Sequence, residues 1–527
     1  MGASPHGIRD CLEATAAAAP GKIGVIDGPV RLTYRELDAR VAALARGLRD
    51  LGVNEGDRVA ILDRNSSQYI EAYFAAAGLG AILCPLNTRL APAEQAAVLL
   101  DAAPRVLIAR GELAPDVTAA LGRGAPVERV LWIDPPAGPL PGAADDYEAL
   151  LARPPGPFES VAADPSRVAH LYYTSGTTGR PKGVMLTHGN VRTHAAWAVE
   201  ELGLTADDVW AHAAPMFHLA DAWAVFAVTM AAGTHVIVPR FDPDLALDAF
   251  AAHGVTLTNL VPAMLGALVE RQRTAPRDCR SLRLLLSGGA SIAPAVVRAS
   301  LSVFDCDYMQ TYGLTETCPY LTLGRLPPHL AALPFEERLP WKCKTGRPFG
   351  AVELRVVDDA GRDVPADGRT VGEILARGPT VTPGYWNRPE ETAAAFPDGW
   401  LRTGDLAVVD AEGFLDIVDR RKDVIITGGE NVYSTEVEAA LYDHPAVLEA
   451  AAFALPDERW GETVAAAVVL RPGLAATVDE LSAWCRTRLA GYKIPRRLFF
   501  VDALPRTGSG KISKRLLRGR HGSAGRR

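Results

Sequence analysis

The alternation of two residue patterns is the feature that most constrains the fold of this chain. Short apolar runs typical of buried strands alternate with stretches of helical periodicity through much of the first 311 residues. Strands that alternate with helices in this way build parallel sheets flanked by helices. The sequence therefore predicts an α/β fold, with strands near 168–174, 234–239, 256–261, 282–287 and 307–311 and a helix over about 190–202.

The clearest single helix is predicted to begin after Thr33. Thr33 and Glu36 form a capping box, and apolar residues then recur at spacings of three and four. Gly52 ends this pattern, and residues 58–62 follow as a short buried strand. The apolar stripe consists of Leu37, Val41, Leu44, Leu48 and Leu51. Further on, 74–83 is predicted to be a packed helix and its exit, and the Pro- and Gly-rich segment 134–157 a surface excursion.

The pattern changes after about residue 345. Short strands separated by turn residues at 358–361 and 410–413 predict hairpins and hence a β-rich subdomain. From residue 422 onward a compact α+β pattern follows, and we place a domain boundary in the charged run 419–423. The predicted elements beyond it are helices near 435–444 and 478–489 and strands near 447–455, 463–470 and 497–501.

Composition excludes several classes of function. The formal net charge is −7, from 55 basic and 62 acidic residues, which disfavours nucleic-acid binding because phosphate contacts need a basic surface. The seven cysteines are scattered without CxxC spacing, as in a reducing cytosol. No apolar stretch is long enough for a membrane span, so we expect a cytoplasmic enzyme without integral membrane association. We interpret the basic tail 514–527 as solvated.

The sharpest local motif is YYTSGTTGRPKGV at 172–184, which follows an apolar strand. Its hydroxyl groups and glycines let the backbone and side chains approach an anion closely, and Lys182 adds a positive charge. This composition suits a polyphosphate that is bound and then released. The spacing differs from that of a Walker A loop.

Together with further motifs, this loop resembles the adenylate-forming superfamily of acyl-CoA synthetases, luciferases and peptide-synthetase adenylation domains. The resemblance covers nearly the whole chain, and the segment 333–348 is similar to the fatty acyl-CoA synthetase branch. The other motifs, in order, are SGGA at 287–290, YGLTE at 312–316, TGD at 403–405, DRRKD at 419–423 and PRTGSGKI at 505–512.

The resemblance implies a site for Mg-ATP. In it, Glu316 and Thr174 would contact the metal, Tyr312 would stack on adenine, and Asp405 and Arg420 would bind the ribose. The phosphate loop would comprise Thr174, Ser175, Gly176, Thr177, Thr178, Gly179 and Lys182. The segments around the adenine, the acyl group and the α-phosphate would comprise Gly288, Gly289, Ala290, Gln310, Thr311, Tyr312, Gly313 and Thr315.

The resemblance also implies the catalytic groups and a moving domain. Lys511 would stabilise the charge that develops as a carboxylate attacks the α-phosphate. Residues 1–421 would form the adenylation domain, Lys422 the hinge, and 423–527 a small mobile lid. After rotation of the lid, Gly428 and Gly429 would border the tunnel for the pantetheine arm of coenzyme A. His218 would lie between the acyl pocket and that tunnel.

The implied activity is an AMP-forming acyl-CoA ligase that uses ATP, Mg²⁺ and coenzyme A. Asn431 and Thr427 replace the Trp and Lys of long-chain relatives, so we expect a medium-chain or aryl acid. Transfer of the acyl group to a carrier-protein thiol or an amine, including activation of a β-amino acid, stays open, as does homodimer formation. Asp221 could bind a substrate amine or face solvent. Trp223, Phe217 and Ala222 could line an apolar pocket or pack as an ordinary helix.

Overall fold

A computed structural model describes residues 7–138, 143–154, 156, 158–162, 164–175, 181–290, 292–506 and 512–522. The first strands are β1 (Ile23–Asp27), β2 (Val30–Thr33), β3 (Arg58–Leu62), β4 (Ile82–Pro85), β5 (Val106–Arg110), β6 (Arg129–Ile133), β7 (Ala143–Asp146), β8 (Val168–Ser175) and β9 (Pro181–Thr187). Then follow β10 (Val209–His212), β11 (Thr234–Ile237), β12 (Leu257–Leu260), β13 (Leu284–Ser287), β14 (Asp307–Gly313), β15 (Tyr320–Leu323) and β16 (Arg347–Pro348). The last are β17 (Glu353–Val357), β18 (Gly372–Arg377), β19 (Leu401–Val409), β20 (Leu415–Arg420), β21 (Ile425–Thr427), β22 (Glu430–Val432), β23 (Val447–Asp457), β24 (Gly461–Leu470) and β25 (Arg497–Phe500).

The α-helices are spread along the whole chain between these strands. The first nine are α1 (Ile8–Ala18), α2 (Tyr34–Asp50), α3 (Ser67–Leu79), α4 (Pro92–Ala102), α5 (Ala114–Leu121), α6 (Tyr147–Leu151), α7 (His188–Leu202), α8 (Leu219–Met230) and α9 (Pro243–His253). The others are α10 (Pro262–Thr274), α11 (Pro294–Phe304), α12 (Pro328–Ala331), α13 (Phe335–Cys343), α14 (Pro389–Ala395), α15 (Ser434–Tyr442), α16 (Val478–Arg486) and α17 (Lys514–Gly522).

The described strands form four sheets. A nine-stranded sheet has the order β16-β15-β14-β13-β12-β10-β11-β1-β2, and a seven-stranded sheet has the order β7-β6-β5-β3-β4-β8-β9. Both are mainly parallel, with antiparallel pairs at their ends such as β8–β9 and β14–β15. The prediction of a large N-terminal domain of flanked parallel sheets is confirmed. Within the described residues, no helix combines the length and apolar character that a membrane crossing requires.

The main core lies between the two large sheets. Helix α3 is buried at nearly every position, and α8 is buried almost as completely, because both consist mainly of apolar residues. Helix α2 covers this core with one face only, and its capping box forms as predicted: Thr33 Oγ1 accepts a hydrogen bond from Glu36 N at 3.2 Å. The core therefore fixes α8, whose N-terminal end carries His218.

The β-rich subdomain and the C-terminal domain are also confirmed. Strands β17–β20 form a four-stranded antiparallel sheet. Strands β21–β25 form a separate five-stranded sheet, in which the β23–β24 hairpin pairs with β25 in parallel, and α15 and α17 pack against β23. The predicted α+β pattern after residue 422 thus matches the observed elements.

Two predictions about the fold are wrong. The basic tail 514–527 is not solvated throughout, because its described part forms α17, which packs against β23 and buries Leu517. The segment 134–157 contains the edge strand β7, which pairs in parallel with β6, and helix α6. Tyr147 and Leu150 of α6 are buried, and Tyr147 donates a hydrogen bond to Glu71 at 2.6 Å. The Pro and Gly residues of the segment led to the prediction of an irregular surface segment. Strand β7 and helix α6 are stabilised instead by β6 and by Glu71 of α3, and the local sequence does not show these partners.

Candidate active site

Several predicted site residues lie where β13 and β14 end. These strands are parallel neighbours, and Ser287 pairs with Gln310, so the SGGA and YGLTE motifs leave the same edge of the sheet. A Cβ atom on Gly288 would lie 2.2 Å from Thr311 Oγ1 and 2.7 Å from Thr311 O, so this position accepts only glycine. Gly289 and Ala290 follow it and are exposed. Ligands of open α/β sheets bind at such carboxyl edges.

Tyr312 and Asp405 meet although 93 residues separate them. The phenol of Tyr312 donates a hydrogen bond to Asp405 Oδ2 at 2.8 Å, and Arg420 Nε lies 2.9 Å from Asp405 Oδ1. Asp405 and Arg420 are paired across β19 and β20, which puts their side chains on one face. Burial and then Asp405 raise the pKa of Tyr312 well above its usual value, so the phenol stays protonated and can donate. The predicted adenine and ribose residues therefore form one cluster.

Glu316 and Lys182 are both next to Tyr385, a residue that sequence reasoning missed. Tyr385 donates a hydrogen bond to Glu316 Oε1 at 3.0 Å, and Lys182 Nζ lies 5.3 Å from the centroid of the Tyr385 ring. Lys182 also forms an ion pair with Glu391. The turn at Pro383-Gly384, which directly precedes an aromatic pair, is the signal that could have identified Tyr385.

The chain segment around Tyr385 holds the two motifs together. Thr382 N donates to Glu316 O at 2.8 Å, and Trp386 N donates to Gly183 O at 2.8 Å. Strand β9 is thereby joined to the segment that follows β14. Among the described residues, no cluster of three or more potential metal ligands occurs. A single half-buried carboxylate such as Glu316 is nevertheless the protein contribution that Mg²⁺ typically needs when phosphates and water supply its other ligands.

The predicted phosphate loop is described at its two stems. Thr174 and Lys182 are directly opposite each other in the antiparallel pair β8–β9, and the backbone of Ser175 pairs with Pro181. Gly176, Thr177, Thr178, Gly179 and Lys511 lie outside the described residues. The stems place one hydroxyl group and one ammonium group at the start of the loop, on the side of Glu316.

His218 is the N-cap residue of α8 and is half-buried. It borders a small cavity of about 30 Å³ together with Phe217, Tyr172 and Thr315. This cavity joins the strand that leads into the phosphate loop with the motif that carries Glu316. Phe217 belongs to the wall of this cavity, and the location of His218 between an acyl pocket and a thiol tunnel stays a prediction.

Asp221 is buried and is already engaged by the protein. Its Oδ2 lies 2.6 Å from His212 Nδ1, and its Oδ1 accepts a hydrogen bond from Trp210 Nε1 at 3.3 Å. His212 Nε2 lies 2.9 Å from His235 Nδ1, and Thr229 Oγ1 lies 3.0 Å from His235 Nε2. Both carboxylate oxygens are therefore paired inside the core, and the fully buried side chain does not face solvent. We call these five residues the Asp221 cluster.

Trp223 and Ala222 belong to the packed interior. Trp223 is 1 % exposed, and its ring centroid lies 5.0 Å from that of Trp210 and 5.1 Å from that of Tyr320. Ala222 is fully buried on the same helix. The alternative in which these residues form ordinary helix packing is the one that the structure supports.

Around residue 422 the chain passes from one sheet to the next. Lys422 is exposed in a 3₁₀ turn that follows β20, and Gly428 and Gly429 form the turn between β21 and β22. These glycines have φ angles of +61° and +87°, which L side chains rarely adopt. Asn431 in β22 is exposed, so it is accessible to a ligand from solvent.

Family models match most of the chain. The model described as AMP-binding enzyme covers residues 12–386, and the model of the AMP-binding enzyme C-terminal domain covers residues 436–511. The chain belongs to the AMP-binding enzyme family. The gap between the two matches contains Lys422, the predicted hinge of this AMP-binding enzyme.

Relatives of known activity cover nearly the whole AMP-binding enzyme. A feruloyl-CoA synthase from Amycolatopsis sp is 42 % identical, covering 96 % of this chain and 97 % of the relative. A long-chain-fatty-acid–CoA ligase from Thermus thermophilus is 40 % identical, with coverage of 93 % and 90 %. The o-succinylbenzoate CoA synthetase of Bacillus subtilis, solved with its acyl-adenylate intermediate, superimposes with a TM-score of 0.83 at 32 % identity, covering 98 % of both chains. The predicted superfamily is confirmed, while the roles of single residues stay predictions.

Proposed function

We propose that this AMP-binding enzyme is an AMP-forming acyl-CoA ligase that acts on an aryl or medium-chain carboxylic acid. In the first half-reaction, a carboxylate oxygen forms a bond to the α-phosphorus of ATP, and the bond to the bridging oxygen breaks to release pyrophosphate. In the second, the thiol of coenzyme A forms a thioester with the acyl carbon, and AMP leaves. The first step relies on positioning and electrostatic stabilisation.

The cluster of Tyr312, Asp405 and Arg420 is the observation that carries this proposal. Asp405 is 3 % exposed and is held by a phenol on one side and a guanidinium on the other. A carboxylate fixed in this way can accept hydrogen bonds from two ribose hydroxyl groups, while the adjacent Tyr312 ring offers a flat surface for a base. The glycine at position 288 permits close approach on the neighbouring strand.

The charges next to this cluster suit a polyphosphate. Lys182 and the hydroxyl of Thr174 lie at the stem of the phosphate loop, and Glu316 is held by Tyr385. A bound Mg²⁺ would neutralise phosphate charge, and Glu316 and Thr174 would be its protein contacts. The pairing of Lys182 with Glu391 supplies a counter-ion for the lysine until phosphates replace it.

Lys511 is the group that we assign to stabilisation of the first transition state. Replacement of Lys511 by Ala is expected to abolish adenylate formation and to leave much of the thioester step from supplied acyl-AMP. A variant that loses both half-reactions equally would refute this role.

Three observations support an aryl or medium-chain acid. The feruloyl-CoA synthase that resembles this chain acts on an aryl acid by its name. Asn431 is exposed beside Gly429, where long-chain members of the superfamily carry a tryptophan gate. Asp221 is fully buried and paired with His212 and Trp210 inside the core, which argues against recognition of an amino acid through this carboxylate.

The test is multiple-turnover pyrophosphate release with Mg-ATP over a panel of acids, each measured with and without coenzyme A. The panel contains fatty acids from acetate to palmitate, benzoates, cinnamates including ferulate, and β-amino acids. Strong release for cinnamates, benzoates or medium-chain acids only with coenzyme A supports the proposal. Release that is insensitive to coenzyme A, with acyl-AMP retained on the enzyme, would instead support transfer to a carrier protein or an amine.

A further inference from the structure

The carboxylate of Glu316 is oriented by a single side chain. The phenol of Tyr385 donates a hydrogen bond to Glu316 Oε1 at 3.0 Å, and no other side chain in the described part of the chain hydrogen-bonds this carboxylate. A phenol is protonated at neutral pH and a carboxylate only accepts, so the direction of this hydrogen bond is fixed. With Oε1 engaged by Tyr385, Oε2 is the oxygen that a ligand would contact.

The backbone that carries this phenol is itself held on two sides. Tyr385 N donates to Thr392 Oγ1 in α14 at 3.0 Å, and the backbone of Tyr385 forms an antiparallel bridge to Val184 of β9. Met185 N donates to Gly384 O at 3.1 Å and extends this contact by one residue. Because β9 is an edge strand of the seven-stranded sheet, Tyr385 extends from a fixed position between this sheet and α14.

The ring of Tyr385 lies beside the stem of the phosphate loop. Lys182 Nζ is 5.3 Å from the ring centroid, and Lys182 lies opposite Thr174 in the pair β8–β9. The phenol therefore brings the half-buried carboxylate of Glu316 next to the ammonium group that we assign to the phosphates. One aromatic residue thus borders both the anionic and the cationic group that a Mg²⁺-polyphosphate requires.

The geometry of a metal contact explains why such a hydrogen bond matters. Mg²⁺ demands near-octahedral coordination and uses few protein ligands, so a misdirected carboxylate loses the contact. A glutamate side chain without a partner samples several rotamers, and ordering it when the metal binds costs conformational entropy. Carboxylates that contact metals are accordingly hydrogen-bonded by neighbouring groups, and removal of such a group typically costs about 10- to 100-fold in metal affinity or activity.

We propose that Tyr385 is a positioning residue that aligns Glu316 for its contact with Mg²⁺. The hydroxyl group is the part of Tyr385 that performs this role, while the ring packs beside Lys182. Tyr385→Phe therefore removes the hydrogen bond and keeps the ring. The inference rests on the proposed function, in which Glu316 contacts the metal ion of Mg-ATP.

The test measures binding without turnover. The dissociation constant of α,β-methylene-ATP, which cannot release pyrophosphate, is determined by isothermal titration calorimetry with excess Mg²⁺ and again with EDTA. The ratio of the constant in EDTA to the constant in Mg²⁺ isolates the contribution of the metal. We expect this ratio to fall by about tenfold in Tyr385→Phe, while the constant in EDTA stays within about twofold of the unmodified enzyme.

A double variant separates an action through Glu316 from an independent effect. Glu316→Gln removes the charge that faces the metal, so it should lower the ratio at least as much as Tyr385→Phe does. Adding Tyr385→Phe to Glu316→Gln should then change the ratio by less than about twofold, because both changes remove the same contact. In steady-state pyrophosphate release, Tyr385→Phe should raise the free Mg²⁺ concentration for half-maximal rate by about tenfold and leave KM for the acid within about threefold.

Tyr147→Phe is the matched control. Tyr147 donates from its phenol to Glu71 Oε2 at 2.6 Å, which is the same kind of hydrogen bond between helices α6 and α3. Because both groups are buried, this variant should lower the midpoint of thermal unfolding. The ratio should stay within about twofold, since a general loss of stability does not change the contribution of the metal.

Three results would count against these assignments. An unchanged ratio in Tyr385→Phe, with a lower ratio in Glu316→Gln, would overturn the positioning role and keep the proposed metal contact. A further fall of about tenfold when Tyr385→Phe is added to Glu316→Gln would show that Tyr385 acts independently of Glu316, and would also overturn the inference. An unchanged ratio in Glu316→Gln would instead refute the proposed role of Glu316 itself.

Discussion

Replacement of Asp221 by Asn tests whether the Asp221 cluster supports the fold or binds substrate. In the structure, every member of the cluster is fully buried, and burial holds the pKa of His235 far below its usual value, so His235 is neutral. One arrangement of donors that satisfies all three contacts has Thr229 donating to His235, His235 to His212, and His212 to Asp221; the ring tautomers are assigned from the contacts rather than observed. In this arrangement His212 donates to Oδ2 of Asp221, and Trp210 donates to Oδ1.

The expected cost follows from these contacts. Asn preserves the shape of Asp but replaces one acceptor oxygen with a donor amide and removes the charge. Either His212 or Trp210 then loses its acceptor in a site without water access. Loss of a buried hydrogen bond to a charged group, with a donor left unpaired, costs about 3 kcal/mol of unfolding free energy, or roughly 150-fold in the folding equilibrium. Thr229→Val, at the neutral end of the cluster, should cost about 1 kcal/mol.

The assay is urea unfolding monitored by tryptophan fluorescence, which Trp210 and Trp223 report from inside the site. We expect Asp221→Asn to lower the midpoint clearly more than Thr229→Val does. Below the unfolding range, kcat and KM for the preferred acid should stay within about threefold of the unmodified enzyme. An unchanged midpoint together with a loss of about 100-fold in kcat/KM for the acid would refute the reasoning and make Asp221 a substrate ligand.

Three further predictions concern the nucleotide cluster and acid stability. Asp405→Asn weakens the hydrogen bonds that we expect between residue 405 and the ribose. In the pyrophosphate-release assay, kcat/KM for ATP should therefore fall by about 10- to 100-fold. An unchanged kcat/KM would exclude the ribose contact. Gly288→Ala places a Cβ atom 2.2 Å from Thr311 Oγ1, so the unfolding free energy should fall by about 1–3 kcal/mol. Adding Thr311→Ala should restore part of this loss. A normal melting midpoint of Gly288→Ala would contradict the close approach. Burial lowers the pKa of His188 to about 4, and it lowers the pKa values of His170 and His194 to about 3. The unfolded chain therefore binds protons below about pH 6.5 that the folded chain does not, and stability should fall by about 1 kcal/mol per histidine on going from pH 7.5 to 5.5. Equal urea midpoints at these two pH values would contradict this.

The sequence by itself determined the local elements and the motifs. The capping box before α2, the apolar runs of β8, β13 and β14 and the turns of the β-rich subdomain all depend on residues within a few positions of one another. Backbone geometry and side-chain periodicity act over that range, so the sequence was sufficient to predict them. The hydroxyl- and glycine-rich loop was recognised for the same reason.

Tertiary structure alone decided which of these residues meet. Tyr312 contacts Asp405 across 93 positions, and Tyr385 contacts Glu316 across 69, because the order of strands in the sheets brings them together. The direction of the Asp221 side chain depends in the same way on where β10 and β11 lie relative to α8. Strand order is fixed by burial of whole faces in a shared core rather than by any local pattern. The sequence therefore predicts which residues belong to the site, and only the packing of the sheets determines which residues contact one another.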